Sequence, residues 1–90
     1  MAEFLLELYI AQSNGESVSQ CEDQARAAAE ALSRAGVLVR CVSSIFVPED
    51  ETCFLLYEAE TAEAVQQAAM RAGLAFDRIA SAHVTGAVKD

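Results

Sequence analysis

The chain has 90 residues, 53% of them hydrophobic and 22% charged. That length is read as one small domain spanning 1–90, and the apolar content excludes a wholly disordered chain. Fourteen acidic residues against six basic ones give a net charge of −8. A phosphate backbone needs clustered Lys and Arg, so no nucleic-acid partner is expected.

The first residues, Met1-Ala2-Glu3-Phe4-Leu5-Leu6-Glu7, lack a positive segment, and Glu3 and Glu7 interrupt the apolar run. No secretory signal is expected. No stretch approaches the roughly 20 apolar residues of a membrane span, so the expectation is a cytoplasmic protein without a membrane partner. Cys21, Cys41 and Cys53 form no CxxC pair. They are read as small buried hydrophobes, not as a disulfide framework.

Phe4 to Ile10 alternates with period two. Phe4, Leu6, Leu8 and Ile10 share one face, and Glu3, Leu5, Glu7 and Tyr9 the other, which predicts a strand. Asn14-Gly15 marks a loop. Ser19-x-x-Glu22 predicts a capping box at a helix start. Cys21, Ala25, Ala28, Ala29, Leu32 and Ala35 then recur at helical spacing, with Glu22/Arg26 and Glu30/Arg34 as i,i+4 pairs and Gly36 as the stop. Val37 to Val47 reads as a second strand, Pro48 to Glu51 as a turn, and Thr52 to Ala59 as the return strand of a hairpin. Thr61 caps a second helix with the stripe Val65, Ala68, Ala69 and Ala72, and Gly73 ends it. Phe76 to Val84 is a fourth strand, and 85–90 is expected to be a frayed tail.

The two halves echo each other. Arg34-Ala35-Gly36-Val37 parallels Arg71-Ala72-Gly73-Leu74, and Phe4-Leu5-Leu6 parallels Phe54-Leu55-Leu56. The order βαββαβ with this pseudo-twofold predicts an α+β, ferredoxin-like domain. Both helices should cover one face of a four-stranded antiparallel sheet.

One sheet face is then left uncovered. Register and the cost of burying Arg40 or Glu58 under helices assign it Leu5, Tyr9, Leu38, Val42, Phe46, Phe54 and Leu56. That much contiguous apolar surface predicts a homodimer joined face to face, in the manner of a dimeric α+β barrel. The fourth strand stays ambiguous, because Arg78 and His83 have opposite parity.

Complete catalytic motifs are lacking, and no catalytic residue is assigned. His83 is the only histidine, and imidazole serves as a base or a metal ligand. Glu7 and Glu58 fall on the uncovered face of the two central strands. There they pair with Arg40, or raise each other's pKa, or bind a cation. Cys41 or Cys53 would add a thiol soft enough for nickel or zinc. A Cys53/His83 nucleophile pair requires their strands to meet. Glu49-Asp50-Glu51 reads as a solvated hairpin tip.

The stretch Ser43-Ser44-Ile45-Phe46-Val47-Pro48-Glu49-Asp50-Glu51-Thr52-Cys53-Phe54 is distinctive. Together with Met1 to Leu5, Tyr57-Glu58-Ala59 and Ala72-Gly73-Leu74, it resembles a family of small bacterial ferredoxin-like proteins of unknown function known as nickel-binding proteins. The resemblance spans nearly the whole chain and implies a dimer with nickel as cofactor. Many members carry a histidine two residues after the hairpin cysteine, where this chain has Leu55. The resulting expectation is a nickel-type homodimer drawing ligands from His83, Glu7, Glu58, Cys41 and Cys53. Its alternative is a dimeric α+β-barrel enzyme or small-molecule carrier, with Tyr9, Phe54, Tyr57 and His83 around a cavity between sheet and helices. A ligand-sensing module acting on a separate partner protein is the third reading.

Overall fold

The structure, a computed structural model, describes residues 1–11 and 16–85. The loop expected at Asn14-Gly15 lies outside them, as does all of the expected tail except Thr85. Strand β1 (Ala2–Tyr9) is followed by helix α1 (Glu16–Arg34), strand β2 (Val39–Val47), a 3-10 turn at Pro48–Asp50, strand β3 (Thr52–Ala59), helix α2 (Ala62–Arg71) and strand β4 (Phe76–Ala82). The sheet order is β2-β3-β1-β4, and every neighbouring pair is antiparallel. This is the expected ferredoxin-like βαββαβ fold.

Local chemistry sets most boundaries. Thr61 caps α2, its hydroxyl accepting from the Ala64 N–H at 3.1 Å. Glycine closes each helix where the backbone turns left-handed, with φ of +100° at Gly36 and +76° at Gly73. At the other end of α1 the structure departs from expectation. The helix begins at Glu16, so Ser19 and Glu22 lie inside it rather than at its cap. Glu22 serves tertiary contacts instead, described below.

The core lies between the sheet and both helices. Phe4, Leu6 and Leu8 of β1, with Ile10 just after it, meet Cys53, Leu55, Tyr57 and Ala59 from β3 and the alanine-rich helix faces around Ala25, Ala29, Ala68 and Ala69. Small helix residues let the backbone layers approach closely, so a 90-residue chain buries a continuous apolar layer. Among the described residues no helix is long and apolar enough to cross a membrane.

One register break corrects the sequence reading. Tyr57 opposes Cys41, but Leu56 opposes Ser43, so Val42 is the extra residue of a β-bulge. An extra residue exchanges the faces of everything after it. Phe46 therefore opposes Cys53 and packs against the helix-side core. It is not on the uncovered face. Val42 is not there either, since it lines a groove beside α1 with Arg26 and Ala29. Ile45, opposite Phe54, takes the outward position.

Candidate functional site

The uncovered face is built as three rungs across the sheet. The middle rung runs Ser43, Leu56, Leu5, Ala80. On one side of it lies Ile45, Phe54, Glu7, Arg78, and on the other Arg40, Glu58, Glu3, Ala82. Tyr9, Leu38 and Ile45 add apolar side chains that are 62%, 50% and 57% exposed. The arginines sit on the edge strands and the carboxylates on the central ones. Arg40 reaches Glu58 at 2.8 Å, and Arg78 reaches Glu7 at 3.7 Å. Glu58 and Glu7 are thus paired within the chain, while Glu3, the third acid of this face, has no ion pair among the described residues. The Arg40–Glu58 pair was one of the options read from the sequence. Arg78 was the missed partner, because the fourth-strand register was open.

His83 follows β4 and is exposed. It lines a small cavity of about 310 Å³ with Met1, Glu3 and Ser81. The Val84 N–H donates to the Glu3 carboxylate at 3.3 Å, tying the end of β4 to β1. Glu3 is the residue that sequence reasoning overlooked. It had been placed on the correct face, and only the neighbouring strand's register hid its approach to His83.

The remaining candidates lie elsewhere. Cys41 and Cys53 are buried on the helix side, 3% and 0% exposed, and burial pushes both thiols up to about 11. They stay protonated at neutral pH and face away from Glu7 and Glu58. Cys21, half-buried on α1, is shifted upward for the same reason. Tyr57 is fully buried in the core, while Tyr9 and Phe54 face outward and His83 stands at the end of the sheet. The four residues of the carrier reading therefore do not surround one cavity. Among the described residues, no group of three or more His, Cys, Asp or Glu side chains is placed to hold a metal ion. One chain supplies an imidazole and a carboxylate at the His83–Glu3 corner, fewer donors than nickel takes.

The comparisons decide the family. Residues 9–81 match the family described as "Nickel responsive protein SCO4226-like". The chain belongs to the SCO4226-like family. The crystal structure of SCO4226 from Streptomyces coelicolor A3(2) is similar to this chain at a TM-score of 0.78. The two are 22% identical, and the match covers 94% of this chain and all of that one. At that identity the likeness carries the SCO4226-like fold and no site residue. No curated protein sequence matches this chain.

Proposed function

We propose that this chain is a nickel-responsive protein working as a face-to-face homodimer. The observation that carries the reading is the uncovered sheet face, with Leu5, Leu56 and Phe54 at its centre and Ile45, Leu38 and Tyr9 around them. An apolar patch of this kind on a small chain favours a protein partner. A second copy fits it, because Arg40–Glu58 and Arg78–Glu7 offset four of the charges that flank the apolar patch. The net charge of −8 on each chain still opposes association, so the apolar contact must outweigh it. At about 25 cal/mol per Å², several hundred Å² of buried apolar surface exceeds the lower estimates of association cost.

Nickel enters through the family's description. Imidazole suits Ni²⁺, and His83 with Glu3 forms the one corner among the described residues where an imidazole and a carboxylate line the same cavity. Two donors per chain leave positions for water or for donors of a second copy. Glu7 and Glu58 are committed to arginines, and Cys41 and Cys53 would need deprotonation inside the core, so His83 and Glu3 lead the ligand set.

The test is sedimentation of the full chain with and without Ni²⁺, combined with isothermal titration. A two-chain mass, and saturable Ni²⁺ binding lost in His83→Ala, support the proposal. A single-chain mass of 9.6 kDa at micromolar concentration overturns the dimer. Nickel binding unchanged by His83→Ala and Glu3→Gln overturns the ligand assignment.

A further inference from the structure

A second concavity lies between α1 and the edge strand β2, and Met1 lines both it and the His83 cavity. Two of the hydrogen bonds that hold this helix to this strand flank the concavity. The Arg26 guanidinium donates to the Val42 carbonyl at 3.0 Å, at the bulge. The Ser33 hydroxyl donates to the Val39 carbonyl at 2.7 Å, near the strand's start. Between these two bonds, a groove of about 590 Å³ opens. Ala29, Val39, Cys41 and Val42 give it an apolar floor, and Arg26, Arg34, Arg40 and Glu30 stand around it.

Charge is what sets this groove apart. The chain has six basic and fourteen acidic residues. Three of those basic residues line the groove, with only one of the acids. Two of the arginines are engaged, Arg26 with Glu22 at 2.6 Å and Arg40 with Glu58 at 2.8 Å. The sequence spacing predicted a Glu30–Arg34 pair, but Arg34 makes no hydrogen bond or ion pair among the described residues. It stands in the last turn of α1 at the groove's rim. One guanidinium fork is thus available, backed by two that are held in place.

We propose that this groove binds an organic monocarboxylate with an apolar body, its carboxylate on Arg34 and its body against Ala29, Val39 and Val42. The volume is that of a small-molecule site, and apolar walls with few polar anchors are the usual composition of one. A planar carboxylate matches one guanidinium edge with two parallel hydrogen bonds. A dianionic phosphate fits less well. Glu22 and Glu58 already offset two of the three positive charges, and the chain as a whole carries −8. The groove shares Arg40 with the open face and Met1 with the His83 cavity, but Arg34 and the floor of Ala29, Val39 and Val42 belong to neither, so the proposed contacts rest on neither the dimer nor nickel.

The test uses the full ¹⁵N-labelled chain titrated with octanoate, with octylammonium as the same apolar body carrying the opposite charge. The expected result is saturable amide shifts at Glu30, Ser33, Arg34 and Val42 with octanoate and none there with octylammonium. Arg34→Glu should weaken octanoate by roughly ten-fold or more. That variant removes no hydrogen bond or ion pair among the described residues. Arg34→Gln, which removes the charge without reversing it, should fall between the two. Equal response to both probes, shifts centred instead on Leu5, Phe54 and Leu56, or undiminished binding in Arg34→Glu would overturn the proposal.

Discussion

The Ser44 hydroxyl on β2 donates to the Glu22 carboxylate on α1 at 2.9 Å. The other oxygen of Glu22 receives Arg26, and Arg26 in turn holds the Val42 carbonyl. One carboxylate therefore links helix, strand and bulge. Its partners hold the Glu22 carboxyl below its usual range, Arg26 contributing most and Ser44 next.

Glu22→Gln should loosen the bulge selectively. Amide exchange at Ser43 and Ser44 is expected to quicken, while the amides of Leu6 and Leu55 in the central strands stay slow. Acid should act in the same way. A carboxyl whose folded value is lowered contributes above its unfolded value of 4.5 and loses that contribution as pH falls through the lowered one. Exchange at the bulge should therefore rise below pH 4.5, ahead of the core. Uniform exchange across the sheet in Glu22→Gln would show that the link does not hold the bulge.

The two phenylalanines of the hairpin should separate folding from assembly. Phe46 packs against the core on the helix side, and Phe54 faces outward between Ile45 and Glu7. Phe46→Ala should cost about 2–3 kcal/mol in urea unfolding and leave the sedimentation mass unchanged. Phe54→Asp places a desolvated charge in the proposed interface and should shift the mass toward a single chain. The reverse assignment would mean that the bulge does not exchange the faces of β2.

The buried thiols predict slow chemistry and a drop in stability at alkaline pH. With Cys41 and Cys53 pushed up to about 11, native protein at pH 8 should react with a thiol reagent slowly, Cys21 first. All three should react at once in guanidinium. A group raised in the fold contributes fully below its unfolded value and loses that contribution as pH rises through the folded one. The urea midpoint should therefore fall between pH 9 and about 11. A midpoint that holds flat over that window would place these thiols in water.

The sequence carried the elements whose signals are local. The range of β3, Thr52–Ala59, and the Thr61 cap were legible because the Pro48 turn, the apolar run after it and a side-chain cap act over a few residues. The face of β1 was legible because four alternating apolar residues leave one register. The bulge was not, since it is a mismatch in count between two strands and Val42 looks like any other strand residue. Its consequences went with it. Phe46 was assigned to the wrong face, Ile45 was overlooked and the α1–β2 groove was invisible. At the ends of the sheet, the outward positions of Glu7 and Glu58 were readable from parity. The Arg78 and Glu3 contacts depended on how β4 lies beside β1, and Arg78 and His83, of opposite parity, left that undecided.

Tyr57 carries the last prediction. Its ring is fully buried between Phe4 and Cys41, and its hydroxyl has no hydrogen-bond partner among the described residues. Burial raises its pKa well above the usual tyrosine value, the direction expected when a phenol is kept from water. An unpaired buried hydroxyl costs about 1–3 kcal/mol, and replacing it with hydrogen removes that cost while the ring keeps its packing. Tyr57→Phe should therefore unfold at a higher urea concentration than the parent chain, by about 1 kcal/mol. It should also lack any tyrosine titration from the core. A destabilised Tyr57→Phe would show that the hydroxyl has a partner in solution, and its loss would then be expected to quicken exchange at the Cys41 amide beside it.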